Sequence, residues 1–220
     1  MLKHSNYKQK DTNNYMSILS GQIIAEKRNS EFNGPLEVIK DIFYGTYIKG
    51  GGLPQSGGLA EMIWKNTLNK IKDREIKSIL ILGLGGGGIA KLARNNWPNS
   101  KIVGVDIDPV IVDLGKKYLK LDEQNVEIKI LDVNDFKTSK KFDLVCVDTY
   151  QGDQFPKEFE TESFAKKVKG FLKENGIAIF NRLYGPEDRK LANNHAKILE
   201  SVFKNVDRNY PEANIMFIAH

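Results

Sequence analysis

The sequence is poor in cysteine and contains no long apolar run. Its 220 residues include a single cysteine, Cys146, which excludes an internal disulfide and a multi-cysteine zinc site. No segment approaches the roughly 20 apolar residues that span a bilayer, and the first residues show no apolar stretch of the secretory type. We therefore expect a cytoplasmic protein with no membrane segment, in which Cys146 fills the core of a buried strand.

Charge of one sign is not concentrated in any part of the chain. The formal net charge is +5, but the lysines are interleaved with acidic residues. Without a basic block, the expected partner is a small molecule and not a nucleic acid. The histidines, His4, His195 and His220, have no partners at metal-ligand spacing, so we expect no metal site.

Apolar runs alternate with helical patterns over most of the chain. The runs occupy residues 78–82, 102–105, 126–131, 144–147 and 177–180. This alternation is typical of an α/β domain in which helices cover a parallel sheet. Two more strand-like runs follow, joined by a short turn around Pro211, and so short a link permits only antiparallel pairing.

The N-terminal third of the chain has a different pattern. Residues 1–34 are predicted to form a polar arm that contains one amphipathic helix over 15–25. Residues 35–75 are predicted to form a small β-hairpin around Gly45 and then a helix. Residues 76–220 are predicted to form the α/β domain.

A glycine-rich turn joins the first strand of that domain to a helix. The glycines of this turn are Gly83, Gly85, Gly86, Gly87 and Gly88. Backbone without Cβ atoms can approach a ligand closely, and a helix N-terminus offers free N–H groups to a phosphate or carboxylate. Asp106 ends the next strand, where it can accept hydrogen bonds from ribose hydroxyls. Together these features predict a nucleoside ligand.

Further side chains follow the ends of the predicted strands. Asp108 precedes a proline and is expected to cap a helix. Asp132 either meets an adenine amino group or is an exposed loop acid. Asp148 either orients or deprotonates a nucleophile or caps a turn. Tyr150 and Phe155 either pack on a substrate or anchor their loop.

The element pattern resembles the class I S-adenosylmethionine-dependent methyltransferase fold, a Rossmann-like α/β fold with a mostly parallel seven-stranded sheet and an antiparallel C-terminal hairpin. The segments KFDLVCVDTY and VGVDIDPVIVDLGKKYL, with the LEVIKDIF hairpin leading to Gln55, resemble the spermidine synthase family over roughly residues 35–219. This resemblance implies S-adenosylmethionine or its decarboxylated form as the cofactor. It also implies a homodimer.

The resemblance also implies roles for individual residues. Asp148 takes the catalytic position, Asp106 the ribose and Asp132 the adenine, while Gln55 lies over the cofactor. The full set of implied cofactor-binding residues is Gly83, Gly85, Gly86, Gly87, Asp106, Ile107, Asp132, Val133 and Gln55. The implied substrate loop contains Tyr150, Gln151 and Asp153.

The chain departs from the family at acidic positions. In spermidine synthases the glycine turn carries an aspartate that meets the donor's amine, where this chain has Gly86, and a second aspartate follows the catalytic acid, where it has Gln151. Recognition of a polyamine requires several carboxylates. We therefore expect a methyltransferase whose acceptor is unknown. An aminopropyltransferase is the alternative, and a non-catalytic nucleoside-binding module is the second alternative.

Overall fold

The computed structural model describes residues 21–152 and 154–220 of the chain. The N-terminal part is a four-stranded antiparallel sheet whose strands pair in chain order. Its strands are β1 (Gln22–Ser30), β2 (Gly34–Asp41), β3 (Gly45–Gly50) and β4 (Leu53–Gly57). The predicted hairpin around Gly45 is confirmed as the β2–β3 pair.

The start of this sheet differs from the sequence prediction. Residues 15–20 lie outside the described residues. Residues 22–25, the end of the predicted helix, belong to β1, and all of them except Ala25 pair with β2. The β-branched pair Ile23 and Ile24 favours a strand. β1 also lies within the predicted arm 1–34, and the division of the chain at 34 and 75 stays a prediction.

A seven-stranded sheet forms the rest of the molecule, in the order β10–β11–β9–β8–β5–β6–β7. The five strands from β9 to β7 in this order are parallel, and β11 is antiparallel to both of its neighbours. Its strands are β5 (Ser78–Leu82), β6 (Lys101–Asp106), β7 (Val126–Ile130), β8 (Phe142–Val147), β9 (Leu172–Leu183), β10 (Val206–Asn209) and β11 (Asn214–Ala219). The predicted fold class is confirmed.

Helices cover both faces of this sheet. They are α1 (Gly58–Leu68), α2 (Gly88–Asn96), α3 (Pro109–Leu119), α4 (Glu162–Phe171) and α5 (Arg189–Val202). Side chains of β5 alternate between two cores: Ile79 and Ile81 pack with α1, α2 and α3, whereas Leu80 and Leu82 pack with α4 and α5. Among the described residues, no helix is both long and apolar enough to cross a membrane.

The strand order places a switch point beside β5. From β5 the chain continues to β6 on one side, and β8, the neighbour of β5 on the other side, continues to β9. Ligands of open α/β sheets bind at the carboxyl ends of the strands at such a point. Cys146 on β8 is fully buried, as expected of a core residue.

Candidate active site

A pocket that is partly open to solvent lies at the carboxyl ends of β5, β6, β7 and β8. The helix α1 and the end of β4 form its opposite wall. The structure brings most of the predicted site residues into its lining, namely Gln55, Gly83, Gly85, Asp106, Ile107, Asp132, Val133, Asp148, Tyr150 and Gln151.

Gly83 directly follows β5, at the point where the end of this strand lies against the end of β8. Its φ is +87°, and a Cβ atom there would lie 1.9 Å from the carbonyl oxygen of Asp148. Only glycine fits this combination of left-handed backbone and close contact. Gly83 therefore allows the ends of β5 and β8 to meet beneath the pocket.

Gly86 and Gly87 lie outside the pocket lining. A Cβ atom on Gly86 would lie 2.8 Å from the side chains of Ile48 and Leu119, and one on Gly87 would lie 2.5 Å from Leu121. Apolar side chains thus fill the space that any side chain at position 86 would need. Both glycines serve close packing here, and their predicted cofactor contact stays a prediction.

Asp106, at the end of β6, faces the pocket with its carboxylate held by backbone groups. Its oxygens accept hydrogen bonds from the N–H of Gly85 at 2.6 Å and of Asp108 at 2.9 Å. Burial raises the pKa of Asp106 to about 6, although these N–H groups oppose the rise. A buried acid at this position is suited to accept hydrogen bonds from ribose hydroxyls.

Asp108 is the predicted helix cap. One of its carboxylate oxygens accepts hydrogen bonds from the N–H groups of Val110 and Ile111, at the start of α3. The other oxygen accepts from Ser30 Oγ and from Asn33 Nδ2 at 2.6 Å. Asp108 therefore caps α3 and also fixes the turn between β1 and β2 against the sheet.

Asp132 follows β7 and is half-buried in the pocket wall. Its Oδ1 accepts a hydrogen bond from the Asn134 N–H at 2.7 Å, which holds the carboxylate in a local turn. The neighbouring Val133 and the residue after Asp106, Ile107, add apolar surface to the same wall. This part of the pocket combines an acid with an apolar surface, as an adenine ring requires.

Asp148 follows β8 and is half-buried in the pocket. Its Oδ2 accepts a hydrogen bond from Trp64 Nε1 at 2.6 Å, and its Oδ1 accepts one from Asn181 Nδ2 at 2.9 Å. Burial raises the pKa of Asp148 to about 6, and the two donors oppose the rise. A group with such a pKa can exchange protons near neutral pH.

The loop after Asp148 is tied to the N-terminal sheet at Gly152. Gln55 Nε2 donates to the Gly152 carbonyl at 2.7 Å, and the Gly152 N–H donates to Asn33 Oδ1 at 3.0 Å. Gln55 thus lines the pocket and also holds the loop. Gln151 lines the pocket as well, whereas Asp153 lies outside the described residues.

Tyr150 and Phe155 are part of an aromatic anchor. Their rings pack edge to face with centroids 5.2 Å apart, and Tyr150 Oη accepts a hydrogen bond from the Leu183 N–H at 2.6 Å. The Arg182 guanidinium lies 3.9 Å above the Phe155 ring. Of the two readings left open by the sequence, these contacts favour an anchored loop, although Tyr150 also reaches the pocket.

His195 is buried among aromatic rings, away from the pocket. Its ring packs against Phe155, Phe180 and Phe217. This burial lowers the pKa of His195 to about 3, so the ring is neutral near pH 7. No group of three or more metal-ligating side chains occurs within residues 21–152 and 154–220.

The sequence prediction does not assign several residues to the site, and four of them have polar side-chain atoms. Asn33, Glu61 and Trp64 line the pocket, and Asn181 reaches Asp148 from β9. Trp64 is only 2% exposed and belongs to the hydrophobic core, but its Nε1 also donates to Asp148. The signal that could have found Trp64 and Glu61 is the spacing of α1, which places Ala60, Glu61 and Trp64 on one face.

A family model that covers most of the chain shows its family, and the curated relatives include both aminopropyltransferases and methyltransferases. Residues 58–217 match the family model described as the spermine/spermidine synthase domain. The chain is 26% identical over 131 residues to a polyamine aminopropyltransferase of Vibrio vulnificus, covering 57% of this chain and 43% of that protein. It is 35% identical over 126 residues to a polyamine aminopropyltransferase of Pyrobaculum aerophilum, covering 50% of this chain and 43% of that protein.

A similar solved structure is that of a probable spermidine synthase from Corynebacterium glutamicum. It has a TM-score of 0.75 and 20% sequence identity, and the match covers 90% of this chain and 80% of that one. At this identity the likeness shows the fold. The alignments with the two curated relatives, by contrast, span less than half of their length.

These findings correct one expectation and confirm another. The expected methyltransferase activity is wrong, because the matching family model is the spermine/spermidine synthase domain and these curated relatives are named polyamine aminopropyltransferases. The resemblance to spermidine synthases is confirmed. Members of this family are transferases that act on small molecules. The homodimer and the cytoplasmic location stay predictions.

Proposed function

Because the chain belongs to the spermine/spermidine synthase domain family, we propose that it transfers an aminopropyl group from decarboxylated S-adenosylmethionine to an amine acceptor. The observation that carries the proposal is the single pocket that contains both Asp106 and Asp148. Asp106 lies where a nucleoside ribose is bound in such folds. Asp148 lies where the reacting end of the same ligand would extend.

The wall of the pocket suits cationic substrates. Four carboxylates line it, those of Glu61, Asp106, Asp132 and Asp148. The donor carries a sulfonium and an ammonium group, and the acceptor carries at least one amine that is protonated in water. Carboxylates in a partly desolvated pocket attract such charges more strongly than they do in bulk water.

The transfer is a direct displacement. The lone pair of a neutral acceptor nitrogen attacks the propyl carbon that is bonded to sulfur. A carbon–nitrogen bond forms, the carbon–sulfur bond breaks, and its electron pair stays on sulfur, which becomes a neutral thioether. Asp148 accepts the proton that the acceptor nitrogen loses. The pocket contributes by holding the nitrogen and the carbon in line at short distance.

The test is an assay of the purified chain with decarboxylated S-adenosylmethionine and a diamine such as putrescine. We expect the thioether nucleoside and the aminopropylated amine to form in equal amounts. The variant Asp148→Asn loses the proton acceptor, so we expect its rate to fall by about 10²- to 10⁴-fold, while calorimetry shows that the thioether nucleoside still binds. No transfer to any of a panel of diamines and polyamines by the folded protein would contradict the proposal.

The variant Asp113→Asn is a matched control. Asp113 lies on α3, its side chain is 57% exposed and pairs with Arg28, and it does not line the pocket. We expect this variant to transfer at the rate of the unmodified protein. An equal loss in both variants would show that the loss does not arise from the chemistry at Asp148.

A further inference from the structure

Trp64 is a buried side chain whose polar atom is aimed into the pocket. It lies on α1, it is 2% exposed, and its Nε1 donates to Asp148 Oδ2 at 2.6 Å. An indole N–H is a donor only, and a buried donor requires an acceptor. Packing alone would be satisfied by any large apolar residue. The hydrogen bond to a carboxylate therefore gives tryptophan a specific use at this position.

The second oxygen of Asp148 is held by a short chain of amides. Asn181 Nδ2, on β9, donates to Asp148 Oδ1, and Asn181 Oδ1 accepts from Asn214 Nδ2 on β11 at 2.8 Å. Both asparagines are buried, with 7% and 6% exposure. The opposite orientation of the Asn181 amide would place an oxygen against the carboxylate and two donors against each other. The contact with Asn214 therefore supports the orientation in which Asn181 donates to Asp148.

We propose that Trp64 and Asn181 are positioning residues that hold Asp148 ionised and in one orientation, with Asn214 acting behind Asn181. The proposal rests on the proposed transfer reaction, in which Asp148 is the proton acceptor. It assigns two hydrogen-bond donors that hold Asp148 in place. Each carboxylate oxygen has two acceptor positions. One position on each oxygen is occupied by these donors, and the remaining positions are free to face an acceptor amine in the pocket.

The electrostatics of the site agree with this arrangement. Burial raises the pKa of Asp148, and the hydrogen bonds from Asn181 and Trp64 are the interactions that lower it. Burial also raises the pKa of Cys146 and raises that of Tyr150 to about 12, so both stay neutral near pH 7. The titratable and charged groups on the surrounding elements are Cys146, Tyr150, Glu61 with its partner Lys91, Asp106, and Arg182 with its partner Glu160.

The first test is the variant Trp64→Phe, which keeps a large ring and removes the donor. Loss of a hydrogen bond to the charged form disfavours that form, so the pKa of Asp148 rises. We expect the acidic limb of the kcat profile to move to a pH about one unit higher. At pH 6.5 kcat falls by about threefold, and at pH values well below 6 by up to about tenfold, while KM for the donor changes by less than about twofold.

Trp97→Phe is the matched control. Trp97 is 6% exposed and its Nε1 donates to the Arg74 carbonyl at 2.9 Å, outside the pocket. This variant also loses one buried indole donor, but its pH profile should equal that of the unmodified protein. Equal profiles for Trp64→Phe, Trp97→Phe and the unmodified protein would overturn the proposal.

A second readout does not depend on the reaction. Carbon-13 NMR of labelled aspartate carboxyl groups in the ligand-free protein follows the ionisation of Asp148 directly, and Asp148→Asn assigns its resonance. We expect Trp64→Phe and Asn181→Ala each to move this titration to higher pH. If the transfer assay fails but the titration moves, the proposed function is wrong and the positioning role stands.

The variant Asn181→Ala also covers the case in which Trp64→Phe does not fold, since it removes the other donor through a smaller change. The variant Asn214→Ala should move the titration in the same direction and by less. A titration midpoint that is unchanged in a folded Asn181→Ala protein would overturn the proposal.

Discussion

The two aspartates of the pocket are held in different ways. Asp106 accepts hydrogen bonds from the backbone N–H groups of Gly85 and Asp108. Asp148 accepts them from the side chains of Trp64 and Asn181, which are 84 and 33 residues away along the chain. The Asp106 side of the pocket is thus held by backbone groups of two consecutive strand–turn–helix units. The Asp148 side depends on side chains, which substitution can change without altering the fold.

We expect the largest effect of a substitution at Gly83, where the ends of β5 and β8 meet, and this effect is on stability. An added Cβ would lie 1.9 Å from the Asp148 carbonyl oxygen, at φ +87°. Gly52 has a similar φ of +83° but no atom within 4 Å of an added Cβ. We expect Gly83→Ala to lower the free energy of unfolding by about 3 kcal/mol or more and Gly52→Ala by about 1 kcal/mol. Urea unfolding measures both, and equal losses would contradict the close contact.

We expect the second largest effect, on ligand affinity, for Asp106, whose carboxylate is held by backbone N–H groups. The variant Asp106→Asn keeps one acceptor oxygen and loses the charge, and a hydrogen bond to a charged group is worth about 1.5–3 kcal/mol. We therefore expect the dissociation constant of the thioether nucleoside, measured by calorimetry, to rise about 10- to 100-fold. The variant Asp148→Asn should bind it nearly unchanged. Similar losses of affinity in both variants would show that binding of the nucleoside does not depend on Asp106 more than on Asp148.

The smallest effect concerns the support of the loop after Asp148. The variant Gln55→Ala removes the donor to the Gly152 carbonyl, a hydrogen bond worth about 0.5–1.5 kcal/mol. We expect KM for the acceptor amine to rise by about threefold to tenfold, with kcat within about twofold.

Gln124→Ala is the control for this loop contact, since Gln124 Nε2 donates to the Lys120 carbonyl at 2.9 Å, outside the pocket. Its kinetic constants should equal those of the unmodified protein. A rise in KM in this variant, or none in Gln55→Ala, would contradict a local role of Gln55 in holding the loop.

The same contrast explains what the sequence can predict. The strand, glycine turn, helix and Asp106 follow one another within one stretch of chain, so their pattern identifies them and the structure places Asp106 in the pocket. The partners of Asp148 come from α1 and β9. No pattern of spacing along the chain links Trp64 or Asn181 to that acid, because only the packing of the sheet brings them together.

The error at the N-terminal side has a similar origin. The spacing of apolar residues over 15–25 fits a helix, but Gln22–Ser30 forms a strand because β2 offers pairing partners to all of its residues except Ala25, at a bulge. Tertiary pairing overrides local periodicity in such segments. The expectation of a methyltransferase also rests on a local feature, namely the absence of an acid at Gly86. Similarity along most of the chain instead indicates the spermine/spermidine synthase domain.

The contact between Gly152 and Asn33 has a consequence for when the pocket forms during synthesis. These residues are 119 positions apart, and contacts between distant positions form late because the intervening chain must first be ordered. A nascent chain can complete its N-terminal sheet while the loop that closes the pocket is still untranslated. We therefore expect ligand to protect the finished protein, but not its earlier folding intermediates, from proteolysis.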